Sequence, residues 1–384
     1  MEELLNNEVR SIEISGIRKF HNMMAGYKDV ISLTIGQPDF ETPLHIREAA
    51  KESIDKGLTS YTHNAGLLQL RQAASEYFNR KYSTLYEPQS EIIVTNGATE
   101  AIDTSLRTIL TPGCEVILPG PAYPGYEPVI RLCGAIPVFA DTRNTGFRLT
   151  ASLIAEKLTE KTRCIIMPYP SNPTGCVLTR DELQEVAELL KDKDIFILSD
   201  EIYSELVYDG NHCSLASIPC IKDKVITING LSKSHSMTGW RIGFIMGPSY
   251  FIKHALKVHQ YNTTCIAAPS QYAACEALIN GFDDALGMRE EYRLRRDYSY
   301  NRLRAMGIDV ELPQGAFYIF PSIKQYGMDS FTFALSLLEK GKVGVVPGSA
   351  FSEYGEGYIR ISYACSLDTL EDAFDRLQGF IEKL

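Results

Sequence analysis

The sequence lacks the excess of basic residues that proteins use to bind polyanions. Its 384 residues include 38 Lys and Arg against 48 Asp and Glu, a formal net charge of −10. Such a balance argues against nucleic acid or an anionic membrane surface as a partner. The sequence also lacks an apolar run near the ~20 residues that span a bilayer, and the basic-then-apolar start of a signal peptide. We therefore expect a soluble protein with no nucleic-acid partner and no membrane partner.

Several other motifs are missing. The nine cysteines are scattered and form no C-x-x-C pair. We therefore expect neither a disulfide framework nor a metal site, and we expect a cytoplasmic protein. No G-x-G-x-x-G motif and no P-loop follows a predicted strand, which disfavours nicotinamide and nucleoside triphosphate cofactors.

What the sequence does contain is a repeated unit of apolar strand, loop and helix. Apolar runs predict strands at 92–95, 115–118, 136–140, 164–167, 195–198, 225–228 and 242–245. Several are apolar on consecutive residues, which is typical of parallel strands covered on both faces. One intervening helix begins with a capping box, Thr179 and Glu182. These patterns predict an α/β fold with a mostly parallel central sheet and flanking helices.

The two ends of the chain follow a different pattern. Residues 4–27 predict a helix that breaks near 15–18, and 30–35 predict a strand. After residue 250 long helices give way to short strands near 317–320, 343–346 and 358–362, and then to a terminal helix. We expect a large α/β domain over 36–280, and a smaller α+β domain formed by 281–384 with the N-terminal segment 1–35.

Polar residues follow several predicted strands, at the edge where open parallel sheets bind ligands. Asp200 leaves the core directly after a strand, so a cation must offset the cost of its burial. Asn172 and Tyr123 lie in turn-rich segments after two other strands, and Gly97 opens a helix whose backbone N–H groups could bind an anion. Taken singly, each also fits an ordinary turn, a helix cap or core packing.

The segment 230–243 joins two apolar runs and reads as a loop between buried strands. It holds Lys233, flanked by small and hydroxylated residues, and Arg241 eight positions later. A lysine, an anion site and a carboxylate at one sheet edge fit pyridoxal phosphate, which needs a lysine for its aldehyde and a carboxylate for its ring nitrogen.

This segment, with 171–175, 199–203 and 358–362, resembles the signatures of class I aminotransferases of pyridoxal-phosphate fold type I. The resemblance covers the whole chain. Within the family the chain is similar to the bacillus aminotransferase A group, whose implied substrate is N-acetyl-LL-2,6-diaminopimelate of lysine biosynthesis.

The resemblance implies roles around the cofactor. Lys233 is the covalent anchor and proton carrier, and Asp200 pairs with the ring nitrogen. Tyr203 and Asn172 bind the ring hydroxyl oxygen, and Tyr123 stacks on the ring. The implied phosphate site comprises Gly97, Ala98, Thr99, Ser232 and Arg241. Some members carry serine where this chain has Gly230, which puts more of the phosphate binding on Ser232.

The resemblance also implies how substrate is bound and how the protein assembles. Arg360 holds the substrate α-carboxylate through a two-pronged contact, with Gly36 and Asn172 beside it. Tyr61 matches a tyrosine that reaches the phosphate of the other subunit, which implies a homodimer with shared active sites. His235, beside the lysine, is expected to have no direct role.

The implied reaction moves an amino group from an amino acid to a 2-oxo acid, with 2-oxoglutarate the expected acceptor. Two alternatives stay open: an aromatic or aspartate-type aminotransferase, and a cysteine-S-conjugate β-lyase of the same fold. A transcriptional regulator is disfavoured, because no DNA-binding region precedes the fold. Side-chain specificity is expected from residues near Ile17 and Arg18 and from Tyr318.

Overall fold

The computed structural model describes residues 1–384. Its helices are α1 Asn7–Ser11, α2 Gly16–Met24, α3 Leu44–Asp55, α4 Leu68–Tyr82, α5 Gly97–Ile109, α6 Tyr126–Leu132, α7 Ala151–Lys157, α8 Arg180–Leu190, α9 Leu231–Ser234, α10 Ser249–Thr263, α11 Ala268–Asn280, α12 Asp284–Ala305, α13 Ser330–Ser336 and α14 Leu367–Ile381. No helix is both long and apolar enough to cross a membrane.

The strands are β1 Ile31–Ser32, β2 Ile92–Asn96, β3 Glu115–Gly120, β4 Ile136–Asp141, β5 Thr162–Met167, β6 Phe196–Asp200, β7 Val225–Gly230, β8 Ile242–Met246, β9 Tyr318–Ile319, β10 Val343–Gly344, β11 Val346–Pro347 and β12 Ile359–Ser362. Seven of them form the central sheet, in the order β2-β8-β7-β6-β5-β3-β4. All seven predicted strands are therefore present, with ends that differ from the prediction by a few residues.

The central sheet is parallel except at β8, which runs antiparallel to both β2 and β7. The mostly parallel sheet is confirmed. The direction of β8 has a simple cause: only the short helix α9 and a turn separate it from β7, and parallel neighbours need a crossover of about a dozen residues or more. The segment 230–243 is thus not a plain loop, because Lys233 lies on a helix within it.

Both faces of the central sheet are covered by helices. In β6, Ile197 belongs to one buried apolar cluster, with α4, α8 and α11, and Leu198 belongs to another, with α5, α6 and α10. Successive strand residues point to opposite faces, so both must be apolar here. The capping box of α8 is present: Thr179 accepts from the backbone N–H of Glu182, whose side chain accepts from the backbone N–H of Thr179.

A third buried cluster joins the two ends of the chain. It contains Phe20 and Met24 of α2, and apolar residues of α12, α13, α14, β9, β10 and β12. Strands β9 and β12 belong to a small three-stranded sheet, in the order β11-β12-β9. Strand β1 pairs with β10, where Ile31 lies opposite Val343. The N-terminal segment thus packs with the C-terminal part of the chain.

Two predictions about the N-terminal segment need correction. One helix over 4–27 is replaced by α1 and α2, separated at residues 12–15 and so close to the predicted break. The predicted strand 30–35 keeps only Ile31 and Ser32. Beyond it the backbone turns towards the cavity described below, because the carbonyls of Thr34 and Gly36 accept hydrogen bonds from Arg360 and Lys233.

Candidate active site

A cavity of about 420 Å³ lies beyond the carboxyl ends of β5, β6 and β7. Since β8 is antiparallel, its amino end lies at this same edge, and Arg241 directly precedes it. Most of the predicted site residues line this cavity: Gly36, Ala98, Thr99, Tyr123, Asn172, Asp200, Tyr203, Ser232, Lys233, Arg241 and Arg360. The cavity therefore collects side chains that are widely separated along the chain.

Lys233 extends into the cavity from α9. Its Nζ donates to the carbonyl oxygen of Gly36 at 2.6 Å, and no carboxylate lies within ion-pair distance of it. Burial, followed by the positive charges of Arg241 and Arg360, lowers the pKa of Lys233 to about 8. Near neutral pH a useful fraction is therefore the free amine, which is the nucleophilic form.

Asp200 is the last residue of β6 and is only 6% exposed. Its Oδ2 accepts from the hydroxyl of Tyr126 at 2.6 Å and its Oδ1 from the backbone N–H of Ile202 at 3.2 Å. Burial raises the pKa of Asp200 to about 6. The cation that its burial calls for is not supplied by the chain, so the site suits a ligand with a positively charged nitrogen.

Arg360, on β12, is 1% exposed and has no carboxylate partner. Its Nη1 donates to Oδ1 of Asn172 at 2.9 Å and its Nη2 to the carbonyl of Thr34 at 2.6 Å, whereas Nε has no partner. A buried guanidinium held only by neutral acceptors retains its positive charge for an anion. The contact uses the amide oxygen of Asn172 and leaves its NH₂ group free to donate.

A second anion site forms where α5 begins. Arg241 lies against this end of the helix, with Nη1 donating to the carbonyl of Thr238 and Nη2 to that of Asn96. Gly97 adopts a φ of +76°, and a Cβ there would lie 2.3 Å from Nη2 of Arg241. Gly97 thus packs against Arg241 outside the cavity lining, whereas Ala98 and Thr99 line the cavity. The free N–H groups of the helix and the guanidinium favour a phosphate-sized anion.

Two tyrosines complete the inner wall. Burial raises the pKa of Tyr123, whose ring lines the cavity, and likewise that of Tyr203. The hydroxyl of Tyr203 lies 2.8 Å from the hydroxyl of Tyr318. Tyr126, which donates to Asp200, and Tyr318, as a partner of Tyr203, were not predicted. Both are buried hydroxyls whose partners are remote in sequence, and no local pattern marks them.

Three other residues discussed for the site behave differently. Tyr61 lies outside the cavity, 88% exposed, and makes no hydrogen bond through its hydroxyl. Arg18 lines the cavity beside Ile17, and no carboxylate of the chain pairs with it. His235 is buried away from the cavity, with Nε2 donating to the carbonyl of Gly281 and Nδ1 bonded to Oγ of Ser234.

The charges of the cavity are strongly unequal. Lys233, Arg241, Arg360 and Arg18 contribute positive groups, and Asp200 is the one carboxylate in the lining. Coulomb energy in such a partly buried site favours a ligand that carries at least two anionic groups and one cationic nitrogen. Pyridoxal phosphate together with an amino-acid carboxylate has this distribution, so the residues present fit that group.

Comparison with known proteins gives a consistent result. The sequence model of the family described as aminotransferase class I and II matches residues 28–377. A Bacillus subtilis protein described as a probable N-acetyl-LL-diaminopimelate aminotransferase is 60% identical, covering 100% of this chain and 97% of its own.

Two further similarities are to proteins of Pyrococcus species. An aspartate aminotransferase of Pyrococcus abyssi is 43% identical over 99% of this chain and 98% of its own. The crystal structure of an aromatic aminotransferase from Pyrococcus horikoshii superposes with a TM-score of 0.90 at 42% identity, covering 96% of this chain and 99% of that one. The similar proteins share a reaction class and differ in the substrate that their names give.

Proposed function

The chain belongs to the class I and II aminotransferases and is therefore an enzyme that transfers amino groups, and we propose that it does so with pyridoxal 5'-phosphate held in the cavity around Lys233. One observation carries this proposal. A lysine with a lowered pKa lies among a carboxylate without a cation, Asp200, and two guanidinium groups without carboxylates, Arg241 and Arg360. When bound, the cofactor supplies an electron sink for the negative charge left at the substrate Cα.

Each cofactor contact follows from a group that the chain leaves available. Asp200 pairs with the ring nitrogen, and Asn172 and Tyr203 donate to the ring oxygen. Tyr123 stacks on the ring. The phosphate site comprises Gly97, Ala98, Thr99, Ser232 and Arg241, with Tyr61 of a second subunit.

The same residues arrange the substrate. Arg360, which lines the cavity and has no carboxylate partner, binds the α-carboxylate through its planar guanidinium fork. Gly36 and Asn172 lie beside it. Lys233, once free as an amine, would remove the proton from the substrate Cα and deliver it to the cofactor carbon C4′, since its return to Cα would only restore the amino acid. This is general base and acid work suited to a pKa of about 8.

For the substrates we propose N-acetyl-LL-2,6-diaminopimelate as amino donor and 2-oxoglutarate as acceptor. The 60% identical Bacillus subtilis relative supports the donor. Arg18, unpaired in the cavity lining, is suited to the second carboxylate of either compound. Aspartate and aromatic donors are the second candidates, because enzymes named for them are also similar to this chain.

A donor panel with 2-oxoglutarate tests this assignment. The expected result is that the acetylated donor gives the highest kcat/KM, and that Arg18→Ala raises KM for it while alanine as donor is little affected. If the acetylated compound is inert while aspartate or aromatic donors react, the substrate proposal fails. Steady pyruvate and ammonia from an amino acid without any oxo acid would instead support the β-lyase.

We also propose a homodimer with shared active sites. The large exposure of Tyr61, with that of Tyr261 at 87%, supports a surface that a second copy covers. Two domains, 36–280 and 1–35 with 281–384, are supported by the buried cluster that joins α2 to α12, α13 and α14. A cytoplasmic location agrees with nine cysteines that are all free thiols.

A further inference from the structure

Tyr203 and Tyr318 form a pair of buried hydroxyl groups at the base of the cavity. Tyr203 follows β6 and Tyr318 begins β9, and their oxygens lie 2.8 Å apart. Each tyrosine carries a single O–H hydrogen, so only one of the two can donate in this pair. The direction of the hydrogen bond therefore decides where the other hydrogen is free to point.

Among the atoms of the chain, each hydroxyl has the other as its one hydrogen-bond partner. If Tyr203 donated to Tyr318, its hydrogen would be used within the protein and could not reach a ligand. If Tyr318 donates, the hydrogen of Tyr203 is left free towards the cavity. A ligand oxygen that accepts from Tyr203 selects this second arrangement.

We propose that Tyr318 is a positioning residue that donates its hydroxyl hydrogen to Tyr203, so that Tyr203 donates to the ring oxygen of the cofactor. The inference rests on the proposed cofactor. Hydrogen bonds in such a chain strengthen one another, because an oxygen that accepts one becomes a better donor of the next. Tyr318 thus stabilises the ionised ring oxygen without touching it.

The surroundings of Tyr318 fix its hydroxyl in place. The guanidinium of Arg360 lies over its ring, with Cζ 4.3 Å from the ring centroid. Gly36 leaves the space that the hydroxyl occupies, since a Cβ there would lie 2.4 Å from Oη. The other charged or titratable groups that face the pair are Lys233, 5.9 Å from the ring centroid of Tyr203, with Asp200 and Tyr123.

This arrangement changes what is expected of Tyr318. Its ring lines the cavity, as a specificity residue would, but its hydroxyl is engaged by Tyr203. Phenylalanine at this position would keep the ring over which Arg360 lies and remove only the donor. Tyr318→Phe therefore separates the hydroxyl from the packing.

The test is a pH titration of visible absorbance in protein loaded with pyridoxal 5'-phosphate, without substrate. We expect Tyr318→Phe to raise the midpoint by about half a pH unit, because the ionised ring oxygen loses part of its stabilisation. Tyr363→Phe is the matched control. It removes another buried hydroxyl, paired with that of Tyr208 at 3.3 Å outside the cavity, and should leave the midpoint unchanged.

A double substitution tests whether the effect passes through Tyr203. In a Tyr203→Phe background, Tyr318→Phe should cause no further shift, whereas an equal additional shift would overturn the relay. Should Tyr318→Phe fold poorly by thermal unfolding, Gly36→Ala displaces the same hydroxyl and should raise the midpoint too.

The remaining outcomes separate this inference from the proposed function. Equal midpoints in wild type and a folded Tyr318→Phe protein would overturn the inference alone. A wild-type protein that develops no visible absorbance with the cofactor would overturn the cofactor proposal and this inference with it.

Discussion

The amide oxygen of Asn172 accepts a hydrogen bond from Nη1 of Arg360 at 2.9 Å, across 188 positions of the sequence. This contact joins the segment after β5 to β12, and it aligns the guanidinium plane without neutralising it. The amide oxygen of Asn172 is thus used on Arg360, and its NH₂ group makes no hydrogen bond within the chain, which suits the second role proposed for Asn172 at the cofactor.

We predict that Arg360→Lys lowers kcat/KM at least about thirtyfold, mainly through KM for both substrates. An ammonium lacks the planar fork and leaves the acceptors of Thr34 and Asn172 partly unpaired, a loss of about 2 kcal/mol or more. Steady-state kinetics of the variant with each substrate measure the change in KM and kcat/KM. Arg376→Lys, at a half-buried arginine far from the cavity lining and paired with Asp372, is the control and should leave KM unchanged. An unchanged KM would exclude Arg360 as the carboxylate site.

Lys233→Ala should abolish transamination while the protein stays folded, because no other lysine lines the cavity. Added pyridoxal phosphate should still bind through the anion sites, but without the visible absorbance of the lysine-bound form. Absorbance spectroscopy with equilibrium dialysis measures both. Lys257→Ala, on the exposed side of α10, is the control. A visible band that persists in Lys233→Ala would assign the covalent link to another residue.

We predict that cofactor affinity depends on pH through the ionisation of Asp200. Burial raises its pKa to about 6, and the hydrogen bond from Tyr126 opposes that rise. Ionised Asp200 attracts the ring nitrogen above this pH, so its contribution to affinity is lost as the pH falls through about 6. Tyr126→Phe removes the opposing bond and should move the loss to higher pH. Binding titrations of both proteins measure this. The cofactor ionises identically in the two series, so a difference between the two curves reports on Asp200. Coincident curves would contradict the assignment.

We predict that His45 stabilises the folded protein to an extent that depends on pH. Burial lowers its pKa, but its hydrogen bonds and charge interactions with Glu276 and Asp284 outweigh this and raise it overall. The stabilisation is therefore fully present below the ordinary histidine pKa and is lost as the pH rises through the raised value.

The corresponding variant is His45→Gln. Its Tm should fall by about 1–2 °C at pH 6 and by less at pH 9, a small effect because the group is partly exposed. Differential scanning calorimetry at the two pH values measures it. His254→Gln, at an exposed histidine on α10, serves as the control. A larger loss at pH 9 than at pH 6 would show that the charged form is not the stabilising one.

Local patterns predicted most of the sheet because buried parallel strands require apolar residues on both faces, as Ile197 and Leu198 illustrate. The capping box at Thr179 was equally visible, since both of its partners lie within one turn. The direction of β8 was not foreseen, because it depends on the length of a link rather than on the residues of the strand.

The cavity lining was predicted where a polar residue directly follows an apolar run, as at Asp200, or where it belongs to a signature, as at Lys233. Tyr126 and Tyr318 were missed as partners. A tyrosine suits a core as well as a site, and what distinguishes these two is a hydroxyl contact across 74 or 115 positions. Such a contact is a property of the packed structure alone.

The backbone of residues 34–36 holds two of the cationic side chains of the cavity. The carbonyl of Thr34 accepts a hydrogen bond from Arg360, and that of Gly36 accepts one from Lys233. A carbonyl has no side chain to delete, so scanning mutagenesis of this tripeptide would overlook its contribution. Replacing Thr34→Ala would keep its acceptor, and Gly36→Ala would report on Tyr318 instead. Only an amide-to-ester exchange, which weakens a chosen carbonyl as an acceptor, would make the contribution of this segment measurable.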